Sequence, residues 1–184
     1  MDELIDILDA QGNYTGKSLM KSEAHKKGLF HPTVHIWFYT KKGEILIQQR
    51  AASKETHPLL WDVSVAGHIG AGEETILSAI REISEEIGLD LSQTDLIPVG
   101  VFKSVKKLRD NFTDCEFHHT YICELKVTMD QLIKQESEVK ALALLPLSLF
   151  EKELQQNSSS KKYVSHDPLY FQTVIFLTVG AMDI

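Results

Sequence analysis

Residues 67–89 read GHIGAGEETILSAIREISEEIGL. From Glu73 to Ile87, Ile76, Ile80, Ile83 and Ile87 recur at spacings of four, three and four, which makes one helical stripe. Gly88 then stands where a left-handed residue ends a helix, and Gly67, Gly70 and Gly72 predict a flexible loop before it. At about 100° per residue, Glu82, Glu85 and Glu86 fall within one third of the helix circumference, on a face other than the isoleucine stripe. The helix therefore packs one side into a core and presents three carboxylates together. Like charges at these spacings repel. An oxygen-rich cluster of this kind suits a hard cation such as Mg²⁺ or Mn²⁺, and Arg81 can orient one carboxylate through a forked contact. Taken as bare glutamates, the same pattern also describes a solvated acidic face.

Working outward, short strands are predicted at Leu4–Leu8, Thr33–Tyr39, Ile45–Arg50, Trp61–Ala66, Leu96–Lys103, Glu116–Val127 and Glu138–Leu145. Lys41–Glu44 turns the second of these back onto the third as a hairpin candidate. Short helices are predicted at Lys21–Lys27 and Leu147–Gln155, with a last one at Tyr170–Val179. Asn157–Lys162 is linker-like. No internal repeat is apparent, and residues 151–184 carry no motif. They are expected as a C-terminal helical appendage to a single domain spanning 1–184.

The chain has 184 residues, 43% hydrophobic and 24% charged, which is ordinary for a soluble globular protein. Nineteen Lys and Arg face 26 Asp and Glu, for a net charge of −7. Such a chain has no general field for gathering nucleic acid or anionic lipid, so neither is an expected partner. Phosphate groups would need a local site or a metal. Cys115 and Cys123 lack zinc spacing and are expected as buried thiols in a reduced compartment. The acidic start Met1-Asp2-Glu3-Leu4 shows no signal peptide, and the longest apolar stretch, 169–182, is shorter than a span. A cytoplasmic protein without membrane contact is the expectation.

The full string is Gly67, five residues, Glu73, seven residues, Arg81-Glu82-Ile83, one residue, Glu85-Glu86, one residue, Gly88-Leu89. Seven fixed residues at roughly 7% usage each coincide less than once in about 10⁸ starting positions, which displaces the solvated-face reading. This string matches the Nudix box at every defined position, and the chain resembles the Nudix hydrolases. The resemblance implies an α/β/α sandwich with a mixed sheet, and attack of water on a diphosphate linked to a moiety X. It implies Glu82, Glu85 and Glu86 as metal ligands, joined by the carbonyl of Gly67. Arg81 and Glu73 are then supporting residues. A divalent ion would neutralise diphosphate charge and lower the pKa of water.

The resemblance extends over roughly residues 1–150. His31-Pro32-Thr33-Val34-His35-Ile36-Trp37 and Trp61-Asp62-Val63-Ser64-Val65-Ala66-Gly67-His68 are similar to the branch holding type I isopentenyl diphosphate isomerases and their hydrolase relatives. There a metal is held by three His and two Glu. The matching residues are His25, His35 and His68, with Asp114 and Glu116 at the carboxylate positions, so this set is a possible second metal or phosphate site. For each histidine alone, a core or loop role is the plainer alternative. The isomerases carry a proton-transferring Cys before the Gly-His pair. Ala66 stands there, and the box is intact, so hydrolysis is expected rather than isomerisation.

A general base outside the box is possible at Glu136 or Glu138, which also read as an exposed acidic loop. Arg50 and Lys54 could contact phosphate. His118 and His119, adjacent on a strand, should point to opposite faces. Trp37 and Trp61 read as core. The expected activity is Mg²⁺-dependent cleavage of a phosphoanhydride in a nucleoside diphosphate derivative or an isoprenoid-type diphosphate. An isomerase-like enzyme and a non-catalytic nucleotide-binding domain are the alternatives. A homodimer is plausible by the resemblance.

Overall fold

The structure, a computed structural model, describes residues 2–182. Met1, Asp183 and Ile184, the ends of the expected 1–184 domain, lie outside the described residues. In chain order the strands are β1 (Leu4–Leu8), β2 (Tyr14–Met20), β3 (His31–Thr40), β4 (Glu44–Arg50), β5 (Trp61–Asp62), β6 (Val65–His68), β7 (Ile97–Arg109), β8 (Phe112–Glu124) and β9 (Val139–Pro146). The helices are α1 (Lys21–Lys27), α2 (Thr75–Ile87), α3 (Leu147–Gln155), the single turn α4 (Asn157–Ser160) and α5 (Pro168–Met182).

β3 is the axis of the fold, buried along nearly its whole length. Successive side chains point to opposite faces, so a strand apolar on both faces must be covered on both. Val34, Ile36 and Phe38 pack with Ala79, Ile83 and Ile87 of α2. Trp37 and Tyr39 pack on the other side with Phe150, Tyr163, Tyr170 and Val174 of the C-terminal segment. The result is the expected α/β/α arrangement around a mixed sheet. Its order is β5-β4-β3-β8-β7, with β6 added to β3 and β9 to β4. β3 and β8 run parallel, while β3 pairs β6 antiparallel. β1 and β2 form a separate two-stranded sheet.

Several elements differ from the sequence expectation. The Trp61–Ala66 strand is two strands, because β5 pairs β4 while β6 pairs β3. Ser64 sits at the crossover, where its hydroxyl accepts from Phe38 N and donates to the Leu46 carbonyl. The β3–β4 hairpin pairs only at Tyr39↔Ile45 and Thr40↔Glu44 before the strands diverge. β2 was not expected, since its residues are almost all exposed and show no apolar alternation. Within the C-terminal segment that begins at 151, Tyr163, Val164, Tyr170 and Val174 are buried, and Tyr163, Tyr170 and Val174 pack in the core beneath the sheet. Among the described residues no helix is long and apolar enough to cross a membrane.

Register positions the polar side chains. His31 lies opposite Glu116. Thr33 lies between His118 on β8 and His68 on β6, and His35 lies between Thr120 and Ala66. Alternation puts residues 31, 33 and 35 on one face of β3 and residues 114, 116 and 118 on one face of β8. Three strands thus lay a polar floor beside the loop that leads into α2.

Candidate active site

α2 begins at Thr75, two residues later than expected, because Glu73 is used in the loop ahead of it. One carboxylate oxygen of Glu73 accepts from Gly70 N at 3.1 Å. Arg81 forks onto the same carboxylate with both bonds at 3.0 Å. The fork therefore falls on Glu73 and not on a ligand candidate, and it holds Glu73 down to about 2. From this anchor Arg81 also reaches Glu82 at 2.7 Å, Glu85 at 3.4 Å and the His68 carbonyl at 3.0 Å. One guanidinium thus ties the loop, the helix and β6 together. Gly88 ends the helix in the left-handed conformation, at φ 70°.

Glu82 and Glu86 are buried, whereas Glu85 is exposed. A Cβ on Gly67 would sit 2.0 Å from Cδ of Glu82, so only glycine lets the carboxylate lie against the β6 backbone. Glu86 accepts from Gln48 Nε2 at 2.9 Å and from Ala66 N at 3.4 Å. Burial pushes Glu86 up to about 8, with Glu82 adding to the effect, and burial raises Glu82 as well. Two adjacent buried carboxylates that resist ionisation are a donor set a hard divalent cation fits.

Beside them stands a second set. His25 from α1, His31 from β3 and His68 from β6 face Asp114 and Glu116 of β8. His25 Nε2 is 3.5 Å and His31 Nε2 is 3.8 Å from Asp114 Oδ1. His31 Nε2 is also 3.8 Å, and His68 Nε2 3.9 Å, from Glu116 Oε1. Nε2 of all three histidines and Oδ1 of Asp114 are buried without a hydrogen-bond partner among the described residues. Burial lowers His25 to about 4 and raises Asp114 and Glu116 to about 7 each. Orphaned donor atoms converging from four elements fit a cation better than they fit each other.

His35 does not join this set. It is four residues along β3 from His31, roughly 13 Å at strand rise, and it packs instead with His118 and His166. His31 takes the place expected for His35. The strand register decides this, because His31 is the residue opposite Glu116. His118 lies on the floor while His119 points to the other face. Glu138 lines the cavity, ion-paired with Lys54, whereas Glu136 is exposed and pairs with Lys134. Trp37 is core, as expected.

The two sets open into one cavity of about 370 Å³ that Arg50 and Lys54 also line. Among its described lining residues only Ala66, Gly67 and Val164 are non-polar. Sequence reasoning missed Lys21, His57, Asp62, Lys106 and His166 as lining residues. Asp62 lies in the Trp61–His68 stretch with no role expected of it there, the others belong to no spaced motif, and His166 arrives from a segment with no readable pattern.

A family model described as NUDIX domain matches residues 29–166. An uncharacterised Nudix hydrolase of Clostridium acetobutylicum is 35% identical over 149 residues, 79% of this chain and 71% of its own length. An isopentenyl-diphosphate Delta-isomerase of Serratia proteamaculans is 34% identical over 122 residues, 66% of each chain. The crystal structure of DR0079 from Deinococcus radiodurans superposes with a TM-score of 0.67 at 18% identity, covering 93% of this chain and 97% of that one.

Proposed function

The chain belongs to the Nudix family of enzymes acting on pyrophosphate bonds, and on that premise we propose that it hydrolyses a phosphoanhydride in a small diphosphate whose X group is polar. The observation that carries this is the pair of buried carboxylates at the cavity, Glu82 held by Arg81 against the bare Gly67 backbone and Glu86 held by Gln48 and the Ala66 N–H. Glu82, Glu85 and Glu86, with the Gly67 carbonyl, would hold Mg²⁺ or Mn²⁺. When bound, the ion supplies charge neutralisation for the diphosphate and a lowered pKa for water. Arg81 and Glu73 fix the ligand geometry. Gln48 orients Glu86 by its hydrogen bond. Lys54 and Arg50 offer positive charge to phosphate oxygens, and Glu138 is the candidate base, since Glu136 stands away from the cavity. His25, His31, His68, Asp114 and Glu116 form the second cation or phosphate site.

The polar lining favours a nucleoside diphosphate derivative over an isoprenoid-type diphosphate, because an apolar chain would strand buried polar groups. A second reading, isomerisation, is favoured by the likeness to an isomerase and by the three-His, two-carboxylate set. Ala66 argues against it, since a methyl group neither gives nor takes a proton at that position. A homodimer is part of the proposal, supported by Leu169, Phe176 and Val179 exposed on α5. So is a cytoplasmic place, consistent with the free, buried Cys115 and Cys123.

The test is product analysis by phosphorus NMR with Mg²⁺. The panel holds nucleoside di- and triphosphates, ADP-ribose, sugar nucleotides and isopentenyl diphosphate. Cleavage of a polar member that vanishes in Glu86→Gln is expected. Deuterium uptake into isopentenyl diphosphate without phosphate release would replace this with the isomerase, and line broadening without turnover would leave a binding domain.

A further inference from the structure

His35, His118 and His166 belong to neither set described above. Parallel pairing of β3 and β8 brings the rings of His35 and His118 into a stack, with centroids 4.0 Å apart and planes at 19°. His166, just ahead of α5, meets both rings edge-on at 5.4 Å and 5.9 Å. One nitrogen of each ring lies within 4.8 Å of the other two.

Each ring also has a nitrogen engaged with a neighbour. His35 Nδ1 is 2.8 Å from Tyr170 Oη, and His118 Nδ1 is 2.9 Å from Thr33 Oγ1. His166 Nε2 is 3.0 Å from Asp62 Oδ1. Asp62 Oδ1 also accepts from Val63 N at 2.9 Å, and Asp62 Oδ2 accepts from Arg50 Nη1 at 3.3 Å, so this carboxylate is an acceptor toward His166. His166 therefore carries its proton on Nε2 and leaves Nδ1 bare. Tyr170 Oη already accepts from Trp37 Nε1 at 2.7 Å and has a second lone pair for the Nδ1–H of His35. His118 Nε2 is buried with no partner among the described residues, and His118 is 2% exposed. Each ring is thus aimed by an outer partner, as in metal-ligating histidines, with a carboxylate behind one of them.

The geometry points to a cation site at His35, His118 and His166 that takes a borderline divalent ion of the Zn²⁺ class. Ion–nitrogen bonds of about 2.0–2.1 Å require tetrahedral nitrogens about 3.4 Å apart, and to reach this the stacked His35 and His118 rings must turn apart so that their in-plane lone pairs meet the ion. Three neutral imidazoles select Zn²⁺ or Co²⁺ over Mg²⁺, the reverse of the carboxylate face of α2. An anion is the poorer occupant, because a carboxylate stands against two of the rings, Asp62 at 3.0 Å from His166 and Glu116 at 3.7 Å from His118. Three protein ligands leave a fourth position, and all three residues line the cavity. The site does not depend on which phosphoanhydride is cleaved.

The test uses the full chain, stripped of metal and then held in excess Mg²⁺, titrated with Co²⁺ without substrate. Beyond any Co²⁺ taken by the His25–His31–His68 set, wild type should bind a Co²⁺ with tetrahedral absorption bands that His166→Ala and His118→Ala lose or bind at least tenfold more weakly. His68→Ala should retain it. Unchanged stoichiometry and affinity in both His166→Ala and His118→Ala overturns the site. Anomalous diffraction at the cobalt edge on crystals of the unaltered protein is the arm that needs no variant. A peak among the three rings supports the assignment. Peaks confined to the His25–His31–His68 set or to α2 overturn it.

Discussion

The carboxylate face of α2 and the histidine floor of β3, β6 and β8 line the same cavity by opposite constructions. On the helix, Glu82, Glu85 and Glu86 are near neighbours in sequence, and the 3.6-residue period alone gathers them. On the sheet, His31, Thr33 and His35 are spaced by the strand period, and what each meets depends on the partner strand's register. A helix site is thus fixed by spacing within one segment, whereas a sheet site is fixed by which rows align. The charges differ correspondingly. The helix offers hard oxygens in a buried pair, while the floor grades from mixed carboxylate–imidazole at Glu116 to a histidine-rich end at His118.

The widest break in this comparison is Glu86→Gln. Activity should fall on the order of 10²–10³-fold, the scale of losing one fixed electrostatic contact, as kcat measured at saturating Mg²⁺. The same variant sharpens the electrostatics. Glu86 keeps its proton in the fold up to about 8 against an ordinary 4.5. Between those values the metal-free fold binds the extra proton, so its stability falls as pH rises, by up to about 1.4 kcal/mol per pH unit from this group. Glu86→Gln should flatten that part of the slope in denaturant titrations run with chelator.

Gly67→Ala comes next. A Cβ 2.0 Å from Glu82 Cδ forces that carboxylate to swing away, and Mg²⁺ affinity should weaken about 10–100-fold, the range seen when a ligand loses its support. Arg81→Lys removes the fork on Glu73 but keeps the charge, and a Mg²⁺ titration of activity should show a loss of about tenfold. His119→Gln is the smallest. His119 shares a strand with His118 but faces the opposite side, so activity should stay unchanged and stability within about 0.5 kcal/mol. An effect of His119→Gln as large as that of Gly67→Ala would mean that the sheet register described above is wrong.

The same contrast explains what was legible. The helix period of Ile76, Ile80, Ile83 and Ile87 and the seven fixed box residues lie in one continuous string, so α2 and its carboxylates could be read directly. β3 was legible as a strand, but whether His31 or His35 meets Glu116 depends on how β3 aligns with β8 about 85 residues on. A family pattern transferred by position chose His35, and register chose His31. Asp62 and His166, 104 residues apart, carry no joint signal before the chain folds. β2 stayed hidden because an exposed strand over a small sheet needs no apolar alternation.

The hydrogen bond from His35 to Tyr170 spans 135 residues, and its consequence is kinetic. Closing so long a loop costs entropy that local contacts do not, and contacts of high sequence separation form slowly. α2 and the β3–β8 pair can organise while the segment around α5 is still unplaced. An ensemble caught at that stage would have its carboxylates in position and one wall of the cavity missing. Docking of α5 is therefore the long-range step that completes the cavity wall, and a destabilising change confined to α5 should open that wall while leaving the box helix formed.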